Sequence, residues 1–276
     1  MLRKYINNKK FLIGSIMLLI VLLIGVFASS LTKYYYDETF IGSALEHPSP
    51  QYLFGTDRLG RDVFSRVIYG TRISLLIAVL ITVVSSLVGV PLGLLAGFYG
   101  KVVDNLIMRV VDIFISFPFI LTGLLIAVLR GPGLLSVVIS LSLSQFTRFA
   151  RITRGLVLEQ KEKDFVKAAK LTGENNIRIM LRYILPNCIS ALIVQSTLTM
   201  SYAILGEASL SYLGFGIRPP QPSWGVLLQQ ATDFVWEHSY LVIIPGLFIV
   251  FTVMSFNFLG DGLRDIFDPR YKRAYE

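Results

Sequence analysis

Six apolar stretches, separated by polar segments or by segments broken with glycine and proline, divide the chain. The first covers residues 11–31 and follows Arg3, Lys4, Lys9 and Lys10. A cleaved signal peptide carries an apolar region of about 7–15 residues, whereas a bilayer-crossing helix needs about 20. The length therefore predicts a retained helix, although Ala28-Ser29-Ser30 offers the small residues that a signal peptidase cuts after. Further stretches at residues 73–98, 110–129, 134–150, 189–213 and 240–260 predict five more spans. The second contains Gly89, Gly93 and Gly97, a four-residue spacing of small side chains that lets two helix backbones approach closely in lipid. The third contains Pro118 and ends in Arg130-Gly131-Pro132-Gly133, a strong break. The fourth is the weakest, because several Ser residues and Gln145 interrupt it.

The pattern predicts an all-α, polytopic membrane protein with six transmembrane helices. Residues 1–72 form an N-terminal anchor helix and an outer polar segment. Residues 73–260 form a transmembrane core that includes a charged loop at 151–187, and residues 261–276 form a short tail. Composition agrees: of 276 residues, 54% are hydrophobic and 16% charged, with mean hydropathy +0.64, against about 25% charged residues in soluble domains. The net charge of +8 lies between apolar runs, where it directs topology, and forms no basic stripe of the kind that binds nucleic acid. With the N-terminus in the cytosol, only seven of the 26 Lys and Arg residues fall outside: Lys33, Arg58, Arg61, Arg66, Arg72, Arg130 and Arg218. That asymmetry predicts a cytosolic N-terminus, a cytosolic 151–187 loop and a cytosolic tail.

Catalytic chemistry is not visible. A phosphate-binding loop requires Gly-x-x-x-x-Gly-Lys-Ser/Thr. Near Gly100-Lys101 the first Gly position holds Leu95 and the Ser/Thr position holds Val102. His47 and His238 lie in polar loops without a partner at metal-ligand spacing and read as surface histidines. Cys188 is the sole cysteine, so neither an intrachain disulfide nor a multi-cysteine metal site is expected. No catalytic, cofactor or metal residues are predicted. Glu207 stands out because an ionisable group deep in a span is costly unless it faces protein or water. With Gln195, Thr197, Thr199, Ser201 and Tyr202 it makes the fifth span polar enough to line a path or to join helices. Asp57, Arg58, Arg61 and Asp62 offer local ion pairs or a docking surface.

The charged loop is the most informative region. Lys167, Ala168, Ala169, Lys170 and Leu171 favour helix, Gly173 favours its termination, and residues 174–185 predict a second helix that ends near Pro186. Ala168, Ala169, Gly173, Ile184, Leu185 and Pro186, at this spacing, resemble the cytosolic loop of ABC-importer permeases, with Lys167 where that family carries Glu. Phe54-Gly-Thr-Asp-Arg-Leu-Gly-Arg-Asp-Val-Phe-Ser-Arg66, Glu207-Ala-Ser-Leu-Ser-Tyr-Leu-Gly-Phe-Gly216, Pro222-Ser-Trp-Gly225 and Asn257-Phe-Leu-Gly-Asp-Gly-Leu-Arg264 with Asp268-Pro269 resemble the dipeptide, oligopeptide and nickel permeases.

The resemblance implies a type I ABC-importer permease fold in a bacterial cytoplasmic membrane. It implies a second homologous permease subunit, two ATP-binding cassette subunits that hold ATP and Mg, and an extracytoplasmic solute-binding protein. Asp164, Ala168, Ala169, Gly173, Leu185 and Pro186 would make the ATPase-coupling loop. The solute would be a peptide or a nickel or metal-chelator complex, and the short outer segment leans toward the nickel branch. An ion-gradient-driven secondary transporter and a non-transporting scaffold are the competing readings, but no internal repeat supports the former.

Overall fold

The computed structural model of the chain describes residues 8–267. Helix α1 (Lys9–Val26) starts under an Asn8 cap, whose side chain accepts from the Phe11 N–H at 3.0 Å. A short α2 (Ala28–Leu31) continues it after a break at Phe27. Helix α3 (Val63–Tyr99) is 37 residues long and begins ten residues before the predicted span. Its cap is Asp62, which accepts from the Ser65 N–H at 2.8 Å and from the Ser65 hydroxyl at 2.6 Å. Residues 63–71 are mostly buried by protein, so their polarity carries no information about lipid.

The predicted third span is two helices, α4 (Lys101–Ser116) and α5 (Phe119–Arg130), bent by 84°. Pro118 causes the break: it has no N–H to donate and holds the preceding Phe117 in an extended conformation, φ −89° and ψ 124°. The polar link before that span is itself helical. Asp104 and Asp112 of α4 pair with Arg154 (2.5 Å) and Arg151 (2.6 Å) of α6 (Leu134–Gln160).

After α6 come α7 (Asp164–Leu171), α8 (Asn176–Arg178), a π-helical turn (Ile179–Ile184) and α9 (Leu185–Tyr212). Helix α10 (Trp224–Ala231) precedes the last helix, α11 (Tyr240–Phe267). Among the described residues, four helical runs are long and apolar enough to cross a membrane: α1, α3, the continuous run Asn176–Tyr212 and α11. The bent α4–α5 pair makes a fifth if its two helices form one span. Helix α6, with 27 residues, is long enough but more polar. It tolerates Ser140, Ser142, Gln145 and Thr147 because protein rather than lipid covers them.

The contact between α3 and α6 is the most extensive between helices among the described residues. A methyl group on Gly93 would lie 2.5 Å from the Ala150 carbonyl oxygen, and one on Gly97 would lie 2.7 Å from Val157 Cβ. Gly89 faces Phe149 at 2.6 Å in the same way. Helices α1 and α11 also meet through glycines, with Gly14 against the Phe258 and Leu259 backbone and Gly262 against Phe11. Buried apolar side chains form one large core around Trp224, Ile77, Ile81 and Ile204. A smaller core of Leu94, Val157, Val166, Ile179, Ile184 and Cys188 lies at the other end of α3.

Gly93→Leu is expected to abolish the folded, monodisperse protein in size-exclusion chromatography. Gly93→Ala is expected to lower the thermal midpoint in detergent, at a cost of about 1–3 kcal/mol from overpacking.

Candidate functional site

The loop between α6 and α9 is a built structure. Helix α7 has Asp164 in its first turn and Lys170 in its last, both placed to suit the helix dipole. It ends at Gly173, whose φ of +77° is the left-handed conformation that glycine adopts without strain. The Glu174 N–H returns to the Ala169 carbonyl at 3.2 Å, and the Thr172 hydroxyl donates to the same carbonyl at 3.0 Å. Asn175 then caps the next helix by accepting from the Ile177 N–H at 3.0 Å.

That next helix does not end at Pro186, as the sequence predicts. It runs on from Asn176 to Tyr212, and the proline is absorbed at the start of α9. The reason is the π turn just before it: the Leu185 N–H donates to the Met180 carbonyl, five residues back, and the widened turn passes the residue that has no donor.

The two alanines of the loop divide its faces. Ala169 is buried with Val166 against Ile179, Met180 and Ile184. Ala168 is exposed on the opposite side, beside exposed Phe165 and Leu171, the latter 89% accessible. Ile177 and Leu181 extend the exposed apolar surface. Asp164, Gly173 and Pro186 are exposed, and Leu185 is half-buried. Lys167 is exposed, 3.8 Å from Glu162. The loop is tied to the C-terminal end of α3, where Lys161 Nζ donates to the Gly97 carbonyl at 3.2 Å and Lys170 lies 5.3 Å from the Phe98 ring centre. Both cations sit at the end where the helix dipole is negative.

The polar residues of the fifth span are mostly occupied within the chain. Gln195 is buried and donates to Thr199 at 3.2 Å. Ser201 joins α9 to α11 by donating to Asn257 at 2.9 Å. Tyr202 is 47% exposed, with the Arg148 guanidinium 4.2 Å from its ring centre. Glu207 is buried, and its Oε1 accepts from the hydroxyls of Ser211 and Ser223, both at 2.6 Å. Ser223 also caps α10 and Ser211 accepts from the Ile217 N–H, so Glu207 organises the turn from α9 to α10.

Two groupings escape one-dimensional reading. His47 and His238, nearly two hundred positions apart, meet with ring centres 4.9 Å apart and ring planes tilted by 40°, and the Tyr240 hydroxyl donates to the Glu46 carbonyl at 2.9 Å. The histidines are therefore partners, which spacing alone conceals, although among the described residues no three His, Cys, Asp or Glu side chains converge on a metal position. Asp57 pairs with Arg61 at 2.7 Å, a local pair as expected, but also with Arg66 at 2.6 Å.

Residues 89–273 match the model of the binding-protein-dependent transport system inner membrane component family. The chain is 40% identical to the di/tripeptide transport system permease protein DppC of Pseudomonas aeruginosa, over 99% of this chain and 92% of that one. It is 40% identical to the dipeptide transport system permease protein DppC of Alkalihalophilus pseudofirmus, over 96% and 88%. It is 36% identical to the glutathione transport system permease protein GsiD of Pectobacterium atrosepticum, over 98% and 90%. A chain of the MetNI methionine ABC transporter, solved in inward-facing conformations, shares the fold with TM-score 0.61 at 19% identity, covering 74% of this chain and 97% of that one. The chain belongs to the binding-protein-dependent transport system inner membrane component family and is a membrane permease subunit. Asp268-Pro269 and most of the predicted tail lie outside the described residues.

Glu207→Gln retains an oxygen for Ser211 and Ser223 and is expected to fold with little loss. Glu207→Leu leaves both buried hydroxyls without their acceptor and is expected to cost about 1–3 kcal/mol, read as a lowered thermal midpoint of the purified chain.

Proposed function

We propose that this chain is one of two permease subunits of an ATP-driven peptide importer, and that α7 is the element through which separate ATPases move it. The observation that carries this reading is the exposed apolar face of Phe165, Ala168 and Leu171 on a short helix whose other face is locked into a buried core. A loop that only rested on lipid headgroups would need no such backing. In the proposal the N-terminus and the 151–187 loop are cytosolic, and each cassette subunit holds ATP and Mg and receives this face in a surface cleft. Closure of the cassettes pulls α7, and the ties to Gly97 and Phe98 pass the displacement to α3.

A second permease would cover the apolar faces that α3, α5 and α9 leave exposed, and an extracytoplasmic binding protein would deliver the solute. In this arrangement residues 1–72 supply the anchor helix and outer segment, and residues 73–260 the moving core. The names of the relatives, which speak of dipeptides, tripeptides and glutathione, favour a peptide over a nickel or metal-chelator complex. Gln195, Ser201 and Glu207 act as helix contacts in this reading, and Tyr202 is the candidate that remains free to meet solute or the second permease.

Leu171→Asp places a charge at the centre of the proposed contact without disturbing the buried face. The transporter is expected to retain its expression and fold, and to lose at least tenfold of both uptake and solute-stimulated ATP hydrolysis, equivalent to about 1.4 kcal/mol of contact energy. Wild-type uptake with wild-type coupled hydrolysis would refute the proposal, and uptake that follows an ion gradient without ATP would favour a secondary transporter.

A further inference from the structure

One cation within the spans has no acidic partner. Arg148 of α6 is exposed on this chain, and its guanidinium carbon lies 4.2 Å from the ring centre of Tyr202 on α9. Twelve residues separate Arg148 from Gln160 and ten separate Tyr202 from Tyr212, about 18 and 15 Å along their helices. The pair therefore lies near the middle of a hydrocarbon core about 30 Å thick. The acids of α4, α6 and α9 are engaged elsewhere. Asp112 and Asp104 pair with Arg151 and Arg154, Glu159 pairs with Lys163, and Glu207 accepts from Ser211 and Ser223. Helices α3 and α5 contain no acid at all. The Arg148 side chain makes no ion pair and donates no hydrogen bond among the described residues, so its guanidinium N–H groups are free.

We infer that Arg148 and Tyr202 form a carboxylate-binding site on the translocation path, which takes the C-terminal carboxylate of the peptide as it passes. The inference rests on the peptide-importer reading above. A cation at this depth faces lipid only at a cost, so its exposed side opens on water or on protein. Lipid phosphates lie half a bilayer away. The tyrosine ring attracts the guanidinium through its face and leaves N–H donors open, and those donors grip a carboxylate with two parallel hydrogen bonds. The contact also draws Arg148 across to its own chain's α9, and not outward to a permanent acid of the second permease. The ring stabilises the cation in the interval between one solute and the next, and unlike a fixed acid it does not compete with the arriving carboxylate.

The test uses the assembled, nucleotide-free transporter in detergent, without delivery protein, carrying Leu205→Cys in a Cys188→Ser background. Leu205 is exposed one turn along α9 from Tyr202. A hydrophilic maleimide is expected to label the introduced cysteine. Alanyl-alanine is expected to slow that labelling at a concentration about tenfold lower than alanyl-alanine amide, which lacks the carboxylate. Arg148→Gln is expected to abolish this preference and Arg148→Lys to keep part of it, both with the wild-type thermal midpoint and the wild-type labelling rate in the absence of peptide. Tyr202→Phe keeps the ring and is expected to keep the preference, whereas Tyr202→Ala is expected to weaken it severalfold. No labelling, equal protection by acid and amide, or a preference that survives Arg148→Gln would overturn the inference. So would separation of the two permeases in Arg148→Gln, which would assign Arg148 to an acid of the second subunit. Absence of ATP-driven peptide uptake by the unsubstituted transporter with its delivery protein in proteoliposomes would be a different failure, that of the importer reading, and would take this inference with it.

Discussion

The rest of the structure depends on backbone-to-backbone contact between α3 and α6. In lipid there is no hydrophobic gain from pressing two apolar helices together, so association relies on packing of atoms at close range. Gly89, Gly93 and Gly97 supply that range, because any larger side chain would collide with Ala150, Thr153 or Val157. The same closeness explains how α6 can be polar. Its serines and Gln145 are turned to protein, and its Arg151 and Arg154 find Asp112 and Asp104 on α4.

From this seam the order extends to the loop. Val157 touches Gly97 and also belongs to the small core that buries Val166 and Ala169 of α7. Lys161 and Lys170 then close on the last turn of α3. A short helix of eight residues would be marginal alone, and here it is a rigid projection of two long ones. In the proposed reading, force applied to its outer face would reach the spans through these contacts. The buried backing of α7 is what the proposed coupling role requires, whereas a loop without it would absorb the displacement.

Hydropathy located the apolar segments because lipid is a uniform solvent that selects for them. It mislocated boundaries wherever protein replaced lipid as the surroundings. The first turns of α3 carry Arg66 and Thr71 yet are helical, since α10 and the outer segment bury them. The third span reads as one apolar run, but Pro118 divides it at an angle no hydropathy profile contains. Pro186 misleads in the opposite direction, because the π turn removes the break it would otherwise impose. In the loop, the glycine stop and the small alanines were legible from local chemistry alone. Which alanine faces outward was not, since that depends on Ile179 and Ile184 arriving from the following helix. The His47–His238 ring contact and the Asp57–Arg66–Gln230 group are likewise products of chain reversal, invisible to spacing.

The central claim is that the exposed face of α7 meets a separate motor on the cytosolic side. Cysteine cross-linking in the assembled transporter addresses it most directly, with Leu171→Cys placed in a Cys188→Ser background. The account predicts a covalent product with the ATP-hydrolysing subunit whose yield changes between nucleotide-free and ATP-bound states. Labelling of that cysteine by an impermeant maleimide added to intact cells, with no product to any ATPase, would contradict it.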